Sequence, residues 1–354
     1  MARAPFVIAG TEIKAGTRAT VEVPVAKLYT HTPLHIPVEV VHGRRDGPVL
    51  MVCGAIHGDE INGVEIVRRV LRNSALRHLR GTLVAVPIVN IFGFVQRSRY
   101  LPDRRDLNRC FPGSESGSLG GRIAYLLRTQ IMEHVTHIID LHTGAIHRFN
   151  LPQVRAELKN PETARMAEAF GAPVIINAGL REGSLRAYAD SLDIPVVTFE
   201  GGEALRFDEV VITSGVKGVI RVMRELEMVP QKKGPRAPKK RSETAANSQW
   251  VRADIDGIMR PVASLGQKVR KGQRLAMVAD PFGEAEVAIT SPCSGIVICV
   301  NNLPLVNEGE AIYHIARFDE LSEAEKAMDY FRSSVEAEVS EAVVPVHPWD
   351  ELQK

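Results

Sequence analysis

The chain has 354 residues with a formal net charge of +2, and 45% of the residues are hydrophobic. This length suits one large domain with a smaller one, and the nearly balanced charge favours neither a nucleic-acid partner nor a membrane surface. No apolar run approaches the roughly 20 residues of a membrane helix, the four cysteines form no CxxC pair, and no secretory signal opens the chain, so we expect a reduced, cytoplasmic protein.

Two β-branched runs near the start, residues 20–25 and 34–41, predict antiparallel edge strands. Residues 49–53 then form an apolar run, which is typical of a strand buried on both faces. Apolar residues recur at helical spacing over residues 64–71 and predict an amphipathic helix. These two segments predict a strand–loop–helix unit of an α/β fold.

His57 and Glu60 lie in the loop between this strand and this helix. Ligands of open α/β sheets bind at the carboxyl ends of the strands, which is where this loop begins. An imidazole and a carboxylate three residues apart can converge on one metal ion at about 2 Å each. This His-x-x-Glu motif is common by chance, so it indicates a metal site only together with further candidate ligands elsewhere in the chain.

A second strand is predicted over residues 81–90, followed by an irregular, arginine-rich stretch at 97–113. Long ordered loops often carry function, and the apolar residues within this one predict that it is held against the core. Asn108 and Arg109 suit a carboxylate, because a guanidinium offers a bidentate fork and an amide adds a further donor.

A helix is predicted over residues 118–135, followed by a short buried strand that ends at His142. If the strands are parallel, His142 lies at the same sheet edge as the loop that carries His57. Asp140 precedes His142 by two residues, lies on the same side of the strand, and could orient the imidazole.

A further strand is predicted at 174–177, and after it Arg181 and Arg186 fit either substrate contacts or solvated side chains. Residues 195–202 repeat the pattern of an apolar strand followed by a polar residue, here Glu200. A buried carboxylate at this position needs a hydrogen-bond or ion-pair partner. Glu203 lies beyond two glycines, and we expect it to be solvated. A helix over residues 214–228 closes the unit.

Three strands therefore end in candidate ligands or acid–base groups, and this repetition predicts one shared site. The fold class is α/β, with a mixed, largely parallel sheet flanked by helices. We divide the chain into a catalytic domain (1–229), a proline-rich basic linker (230–248), a small β domain (249–316) and an acidic, peripheral tail (317–354) with one short helix.

The β domain contains an internal repeat with an offset of about 37 residues. It resembles the barrel of biotinyl and lipoyl carrier domains. The hairpin between its halves, near residues 280–283, has no lysine to carry a cofactor. We therefore interpret it as a lid or an oligomerisation module.

Four motifs together resemble the succinylglutamate desuccinylase/aspartoacylase family. They are Gly-Ala-Ile-His-Gly-Asp-Glu at 54–60, Asp-Leu-Asn-Arg at 106–109, Asp-Leu-His-Thr at 140–143 and Phe-Glu-Gly-Gly at 199–202. The resemblance covers about residues 30–230 and implies a zinc carboxypeptidase-like fold with one Zn²⁺ per chain. It implies zinc ligands at His57, Glu60 and His142, with Glu200 as the catalytic acid/base.

The resemblance also implies that Asn108 and Arg109 hold the carboxylate of the substrate. An upstream arginine should polarise the scissile carbonyl, and Arg99 is the choice, with Arg104 and Arg105 left open. A tyrosine of the β domain contacts substrate in some relatives, and Tyr313 is the one tyrosine available there.

The implied function is zinc-dependent cleavage of the amide bond of an N-acyl amino acid, a small-molecule substrate. Two histidines, a carboxylate and an open fourth position are in any case a catalytic zinc pattern. A zinc carboxypeptidase of short peptides would use the same residues. A non-catalytic binding protein that docks a partner through its barrel is the third alternative, and the sequence leaves both the acyl group and any homo-oligomer undetermined.

Overall fold

The computed structural model describes residues 3–231 and 242–342. The first described range contains ten strands: β1 (Phe6–Ile8), β2 (Thr11–Ile13), β3 (Thr17–Lys27), β4 (Pro33–His42), β5 (Arg45–Gly54), β6 (Arg80–Val86), β7 (His137–Gly144), β8 (Arg148–Ala156), β9 (Val174–Asn177) and β10 (Val196–Glu203). The second contains nine: β11 (Glu243–Ala245), β12 (Asn247–Arg252), β13 (Gly257–Pro261), β14 (Lys268–Val269), β15 (Arg274–Ala279), β16 (Glu286–Thr290), β17 (Gly295–Asn301), β18 (Leu305–Val306) and β19 (Ala311–Arg317). The α-helices are α1 (Asn62–Leu71), α2 (Ile91–Gln96), α3 (Leu119–Gln130), α4 (Pro161–Phe170), α5 (Leu185–Asp190), α6 (Glu209–Glu225), α7 (Leu321–Phe331) and α8 (Ala337–Ala342).

One large mixed sheet organises the described chain. Its strands follow the order β12-β19-β17-β8-β10-β7-β5-β6-β4-β3. Strands β10, β7, β5 and β6 are parallel at its centre, and antiparallel strands extend it on both sides. The predicted α/β class with a mixed sheet is confirmed, with parallel pairing concentrated at the centre. The predicted early strands correspond to β3 and β4, which pair antiparallel. Strand β3 lies at the edge of the sheet as predicted, whereas β4 lies inside it, between β3 and β6.

Helices cover both faces of the central strands, because each face presents apolar side chains. On one face, α1, α4 and α6 pack against the sheet and bury residues such as Ile66, Phe170 and Val219. On the other face, α3 and α5 pack with the amino-terminal strands and bury Ile123 and Leu185. A strand sandwiched in this way needs apolar residues on both sides, which explains the continuous apolar runs in the sequence.

The loop between β5 and α1 is held by close backbone contacts. A Cβ atom added to Gly58 would lie 2.0 Å from the backbone carbonyl carbon of Gly93. A Cβ atom on Gly54 would lie 2.9 Å from that of Gly63. These glycines are required because no side chain fits where the backbone segments approach. The loop therefore presents its side chains from a fixed backbone.

Two elements of the central region, β8 and α4, were not predicted, although α4 carries ordinary helix signals: Asn160 caps it, Pro161 lies in its first turn and Gly171 follows its end. Strand β8 carries Pro152 in its middle, which disfavours a strand prediction, and α4 follows it directly. Helix α6 also begins five residues earlier than predicted, because the side chain of Asp208 caps it at the backbone N–H of Val211.

The carboxy-terminal strands extend the same sheet. Strand β17 pairs antiparallel with β8, and β11 pairs parallel with β9. The predicted linker lies mostly on residues 232–241, outside the described residues. The last part of the predicted linker is not an unstructured tether. Glu243–Ala245 forms β11, whose backbone groups pair with the otherwise open edge of strand β9.

Strands β12 to β19 enclose an apolar core of their own, which includes Val269, Leu275 and Ile312. Strands β16, β15, β13 and β18 form a second sheet over it. Residues 280–285 connect the antiparallel strands β15 and β16, where the lysine-free hairpin was predicted. The division into a catalytic domain and a 249–316 β domain stays a prediction.

The predicted peripheral tail needs a correction. Helix α7 buries Ala324 and Met328 against Leu151 and Ile296, so it covers apolar residues of the main sheet. Burying these side chains offsets the cost of ordering the helix. Residues 343–354 lie outside the described residues. In the described ranges, no helix has the length and hydropathy needed to cross a bilayer, and all four cysteines are free.

Candidate functional site

A cavity of about 520 Å³ opens at the carboxyl ends of the central parallel strands. Strands β5, β7 and β10 all point towards it, as open α/β sheets generally arrange their sites. Its walls also include residues of β8, of the loop before α5 and of the carboxy-terminal strands. The volume is ordinary for a small-molecule site.

His57, Glu60 and His142 meet in this cavity, and all three are buried. The Nδ1 atom of His57 lies 2.7 Å from Oε1 of Glu60, and Nδ1 of His142 lies 2.9 Å from Oε2. One potential ligand atom from each residue lies within 4.8 Å of the others. Two imidazole nitrogens and a carboxylate form a donor set that suits zinc, so these residues fit a metal ion.

Both imidazoles are oriented by a second carboxylate. Nε2 of His57 lies 3.1 Å from Oδ1 of Asp106, and Nε2 of His142 lies 2.7 Å from Oδ2 of Asp140. Each Nδ1 atom therefore faces Glu60, and the ring orientation is fixed from behind. The structure places Asp140 where the sequence predicted, whereas the contact of Asp106 with His57 was not predicted.

Glu60 is the common partner of this cluster. Burial alone would raise the pKa of Glu60, but the imidazoles of His57 and His142 outweigh it and hold that pKa well below its usual range. The backbone N–H of Thr143 donates a further hydrogen bond to Oε2 over 3.0 Å. Glu60 is thus an ionised carboxylate over the working pH range.

Arg99 lies next to this cluster. Its guanidinium donates to Oε1 of Glu60 over 3.1 Å and to Oδ2 of Asp106 over 3.0 Å. The two alternatives that the sequence left open, Arg104 and Arg105, are exposed and do not line the cavity. Of the three candidate arginines, only Arg99 reaches the site.

Asn108 and Arg109 lie on a short 3₁₀ turn and both line the cavity. The side chain of Asp106 caps this turn by accepting from the backbone N–H of Asn108 over 2.9 Å. The Oδ1 atom of Asn108 accepts from the backbone N–H of Leu185 over 2.9 Å, which fixes the amide. Nη1 of the exposed Arg109 guanidinium donates to the backbone oxygen of Asn108. The N–H₂ group of Asn108 and the other N–H groups of that guanidinium are left for a ligand.

Glu200 lies beside His142, because the two residues are register partners on the parallel strands β10 and β7. Its Oε2 atom accepts from Nε of Arg155 over 2.8 Å and from Nδ2 of Asn150 over 3.3 Å. Gln153 donates to the same oxygen over 3.5 Å. Within the described residues, Oε1 of Glu200 accepts no hydrogen bond, so it is free for another proton donor.

A β-bulge shapes the wall that holds Glu200. The pairing of β8 with β10 shifts by one residue between Glu200 and Gly202. Without this shift, Asn150 and Arg155 would lie on opposite faces of β8, since one is an even and the other an odd position. The bulge brings both side chains to the same carboxylate.

Arg181 and Arg186, for which the sequence left two interpretations open, both line the cavity. Arg186 is partly buried and donates through Nη2 to the backbone oxygen of Gly179 over 2.8 Å. Burial, with the nearby charge of Arg155, lowers its pKa. Its buried Nη1 has no hydrogen-bond partner among the described residues, so it is available to a ligand.

The carboxy-terminal strands contribute Trp250 and His314 to the cavity, and neither residue was predicted from the sequence. The prediction that Tyr313 contacts the substrate is wrong. This residue is fully buried in the core of the carboxy-terminal strands, where its single hydroxyl proton is shared between the backbone oxygens of Ala263 and Leu275, at 3.0 and 2.9 Å. Alternation along β19 points His314, the next residue, to the other side.

Glu203 also differs from expectation. It is buried rather than solvated, and it accepts from the backbone N–H of His147 over 3.0 Å and from the side-chain amide of Asn302 over 2.9 Å. These bonds satisfy the buried carboxylate and attach the end of β10 to the loop after β17.

His314 provides a prediction about pH and stability. Burial, with the nearby charge of Arg155, lowers its pKa to about 3, against 6.5 in the unfolded chain. Below pH 6.5 the unfolded state therefore binds a proton that the folded state does not, so folding weakens as the pH falls. From pH 7 to pH 5, His314 should remove about 2 kcal/mol from the free energy of unfolding.

The measurement is denaturant unfolding of the wild type and of His314→Phe at both pH values. Phenylalanine keeps a flat ring against Trp250 but cannot bind a proton. Between pH 7 and pH 5, the free energy of unfolding should fall by about 2 kcal/mol less in the variant than in the wild type. An identical pH dependence in the two proteins would show that His314 already titrates normally in the folded state.

Comparisons with known proteins agree with this geometry. Residues 46–226 match the family model of the succinylglutamate desuccinylase/aspartoacylase catalytic domain. N-alpha-acetyl-L-2,4-diaminobutyric acid deacetylase of Halomonas elongata is 28% identical over 300 residues, which cover 79% of this chain and 85% of that protein.

Solved structures share the fold over most of the chain. The succinylglutamate desuccinylase/aspartoacylase of Rhodobacter sphaeroides superposes with a TM-score of 0.75 at 23% identity, covering 86% of this chain and 96% of that one. The ectoine utilization protein EutE (DoeB) of Ruegeria pomeroyi superposes with a TM-score of 0.77 at 22% identity, covering 89% and 98%. With the family model matching half of its length, this chain belongs to the succinylglutamate desuccinylase/aspartoacylase family.

Proposed function

We propose that this protein is a zinc-dependent deacylase that hydrolyses the amide bond of an N-acyl amino acid. The observation that supports it best is the meeting of His57, Glu60 and His142 with Glu200 in one cavity. A family that includes succinylglutamate desuccinylases and aspartoacylases, and a relative named as a deacetylase of an acetylated amino acid, support the same reaction class.

The two imidazoles and Glu60 would hold the zinc ion. When bound, zinc supplies Lewis-acid chemistry: it lowers the pKa of a water molecule to about 7 and polarises a carbonyl group. Asp106 and Asp140 keep the histidine rings in the orientation that presents Nδ1. Their hydrogen bonds also increase the basicity of the ligands.

Glu200 is proposed as the general base and acid. Arg155 and Asn150 hold its Oε2, while Oε1 is free for the proton of the attacking water. In the second half of the reaction, Glu200 would deliver this proton to the amide nitrogen, so that a neutral amine leaves. The products are a carboxylate and an amino acid.

Arg99, Asn108 and Arg109 are proposed to bind the substrate. Arg99 lies beside Glu60 and can donate to the oxyanion that develops on the scissile carbonyl, which is the type of contact that stabilises acyl-transfer transition states. Asn108 and Arg109 would hold the α-carboxylate with an amide and a guanidinium. The fixed amide of Asn108 keeps this geometry in place before the substrate arrives.

The first experiment measures release of free amine from a panel of N-acetyl and N-succinyl amino acids, with short dipeptides as the competing class. Zinc content is determined on the same sample. We expect one zinc per chain and turnover of at least one N-acyl amino acid that a chelator abolishes and zinc restores. Turnover of dipeptides alone would favour a carboxypeptidase, and a folded protein without zinc affinity would contradict the proposal.

A further inference from the structure

The carboxylates that orient the two predicted histidine ligands have different surroundings. Asp106, behind His57, accepts from the guanidinium of Arg99 over 3.0 Å and from a backbone N–H over 2.9 Å. Asp140, behind His142, is 1% exposed, and its Oδ2 atom lies 2.7 Å from Nε2 of that histidine. Among the described residues, no arginine or lysine lies within 4.0 Å of Asp140. Its second oxygen, Oδ1, therefore depends on another donor.

That donor is the thiol of Cys53 on the neighbouring strand. Cys53 and Asp140 are register partners on the parallel strands β5 and β7, so their side chains lie on the same face of the sheet. The Sγ atom lies 3.4 Å from Oδ1 of Asp140 and 3.7 Å from the backbone oxygen of Ile139. The carboxylate is both closer and the stronger acceptor, so the single S–H proton is directed to it. In the described part of the chain, Oδ1 accepts no other hydrogen bond.

The surroundings of Cys53 keep its thiol protonated. The residue is fully buried, and burial together with the charge of Asp140 raises the pKa of the thiol well above its usual range. A protonated thiol is a donor, although a weak one. A lysine or arginine in its place would neutralise the carboxylate, whereas a weak donor leaves most of the negative charge for the imidazole of His142.

We propose that Cys53 is a positioning residue of the zinc site: its thiol fixes the carboxylate of Asp140, which in turn fixes the ring of His142. The inference rests on the proposed zinc-dependent function and deepens it, because it names a residue behind the site that sets zinc affinity. Cys53 does not line the cavity, so it does not touch the substrate. Its replacement should therefore change zinc affinity and leave the KM of the zinc-loaded protein unchanged.

The test measures zinc affinity of the full-length protein by competition with a chelator. Cys53→Ala removes the donor and should weaken zinc binding about 10-fold, the lower end of the range for residues that orient a metal ligand. Cys53→Ser keeps a hydroxyl donor of similar size, so its zinc affinity should stay within about threefold of the wild type. The matched control is Cys293→Ala, which removes a buried thiol from the core of the carboxy-terminal strands and should bind zinc as the wild type does.

A double-mutant cycle separates the hydrogen bond from packing. Asp140→Ala removes the acceptor, so adding Cys53→Ala to it should change zinc affinity by less than about twofold. The core loses the same Sγ atom in both backgrounds, so an effect of packing alone would persist at its full size. Circular dichroism checks that each variant is folded.

Infrared spectroscopy detects the contact without a change at Asp140. Hydrogen bonding to a carboxylate lowers the stretching frequency of an S–H bond, so the wild type should show a lowered S–H band that Cys53→Ala loses and Cys293→Ala keeps. Loading the wild type with zinc should shift this band, because the members of a hydrogen-bonded chain polarise one another. If the variants at Cys53 do not fold, this shift in the wild type decides the question, and its absence would contradict the inference.

Wild-type zinc affinity in Cys53→Ala, or a loss that persists in the Asp140→Ala background, would overturn the inference. An equal loss in Cys53→Ser and Cys53→Ala would also overturn it, because the hydroxyl donor would then have no effect. In each of these cases, zinc binding and turnover by the wild type would leave the deacylase function standing. A folded wild type without zinc affinity would overturn both.

Discussion

Replacing Glu200 with glutamine is expected to lower kcat by about 10²- to 10⁴-fold, the usual contribution of a positioned acid–base group. Glutamine has the same shape and can still accept a hydrogen bond from Arg155, which now lies 2.8 Å from Oε2 of Glu200. It cannot take a proton from water or deliver one to the leaving nitrogen. The change therefore removes proton transfer while the cavity keeps its form.

Steady-state kinetics and zinc content should be measured together on Glu200→Gln. Zinc content and KM should change little, because Glu200 is outside the predicted ligand set. The matched control is Glu203→Gln, on the same strand, whose buried side chain contacts His147 and Asn302 rather than the cavity. If Glu200→Gln retained wild-type kcat, the acid–base role would have to be assigned to another residue.

Replacing His142 with alanine is expected to cause the largest loss of metal. Removing a residue that only orients a ligand typically costs 10- to 100-fold in metal affinity, so the loss of a ligand should exceed about 100-fold. The remaining His57 and Glu60 leave an incomplete donor set. Activity should fall with zinc content and recover in part only at high zinc concentration.

The measurement is zinc affinity by competition with a chelator, with circular dichroism as the check on folding. His137→Ala is the matched control, because His137 lies on the same strand, five residues before His142, and contacts Glu162 instead. It should bind zinc as the wild type does. A His142→Ala protein with wild-type zinc affinity would show that the ion is bound elsewhere.

The central part of the site could be predicted because it depends on local pattern. Apolar runs locate buried parallel strands, and residues that follow such strands gather at one edge of the sheet. These two patterns predict the positions of His57, Glu60, His142 and Glu200, and the structure brings all four to one cavity. Asp140 followed from the two-residue period of a strand.

The orienting contact of Asp106 with His57 was not predicted from the sequence. Asp106 precedes Asn108 and Arg109 in the same motif, and it caps the 3₁₀ turn that presents them. The same side chain also contacts His57, 49 residues earlier. A contact over this separation has no local signal, because it depends on how the loop folds back over the sheet.

The sequence by itself determined which residues form the proposed reaction centre, since these residues lie at strand ends and in a short loop that glycines hold in place. Tertiary structure decided which residues hold Glu200 and form the wall that the carboxy-terminal strands contribute. A bulge between β8 and β10 brings Asn150 and Arg155 to Glu200, although alternation along a regular strand would separate them. Trp250 and His314 lie 108 and 172 residues after His142 in the chain. The pairing of β17 with β8 brings them to the cavity, because strands of the carboxy-terminal region pair with the otherwise open edge of β8.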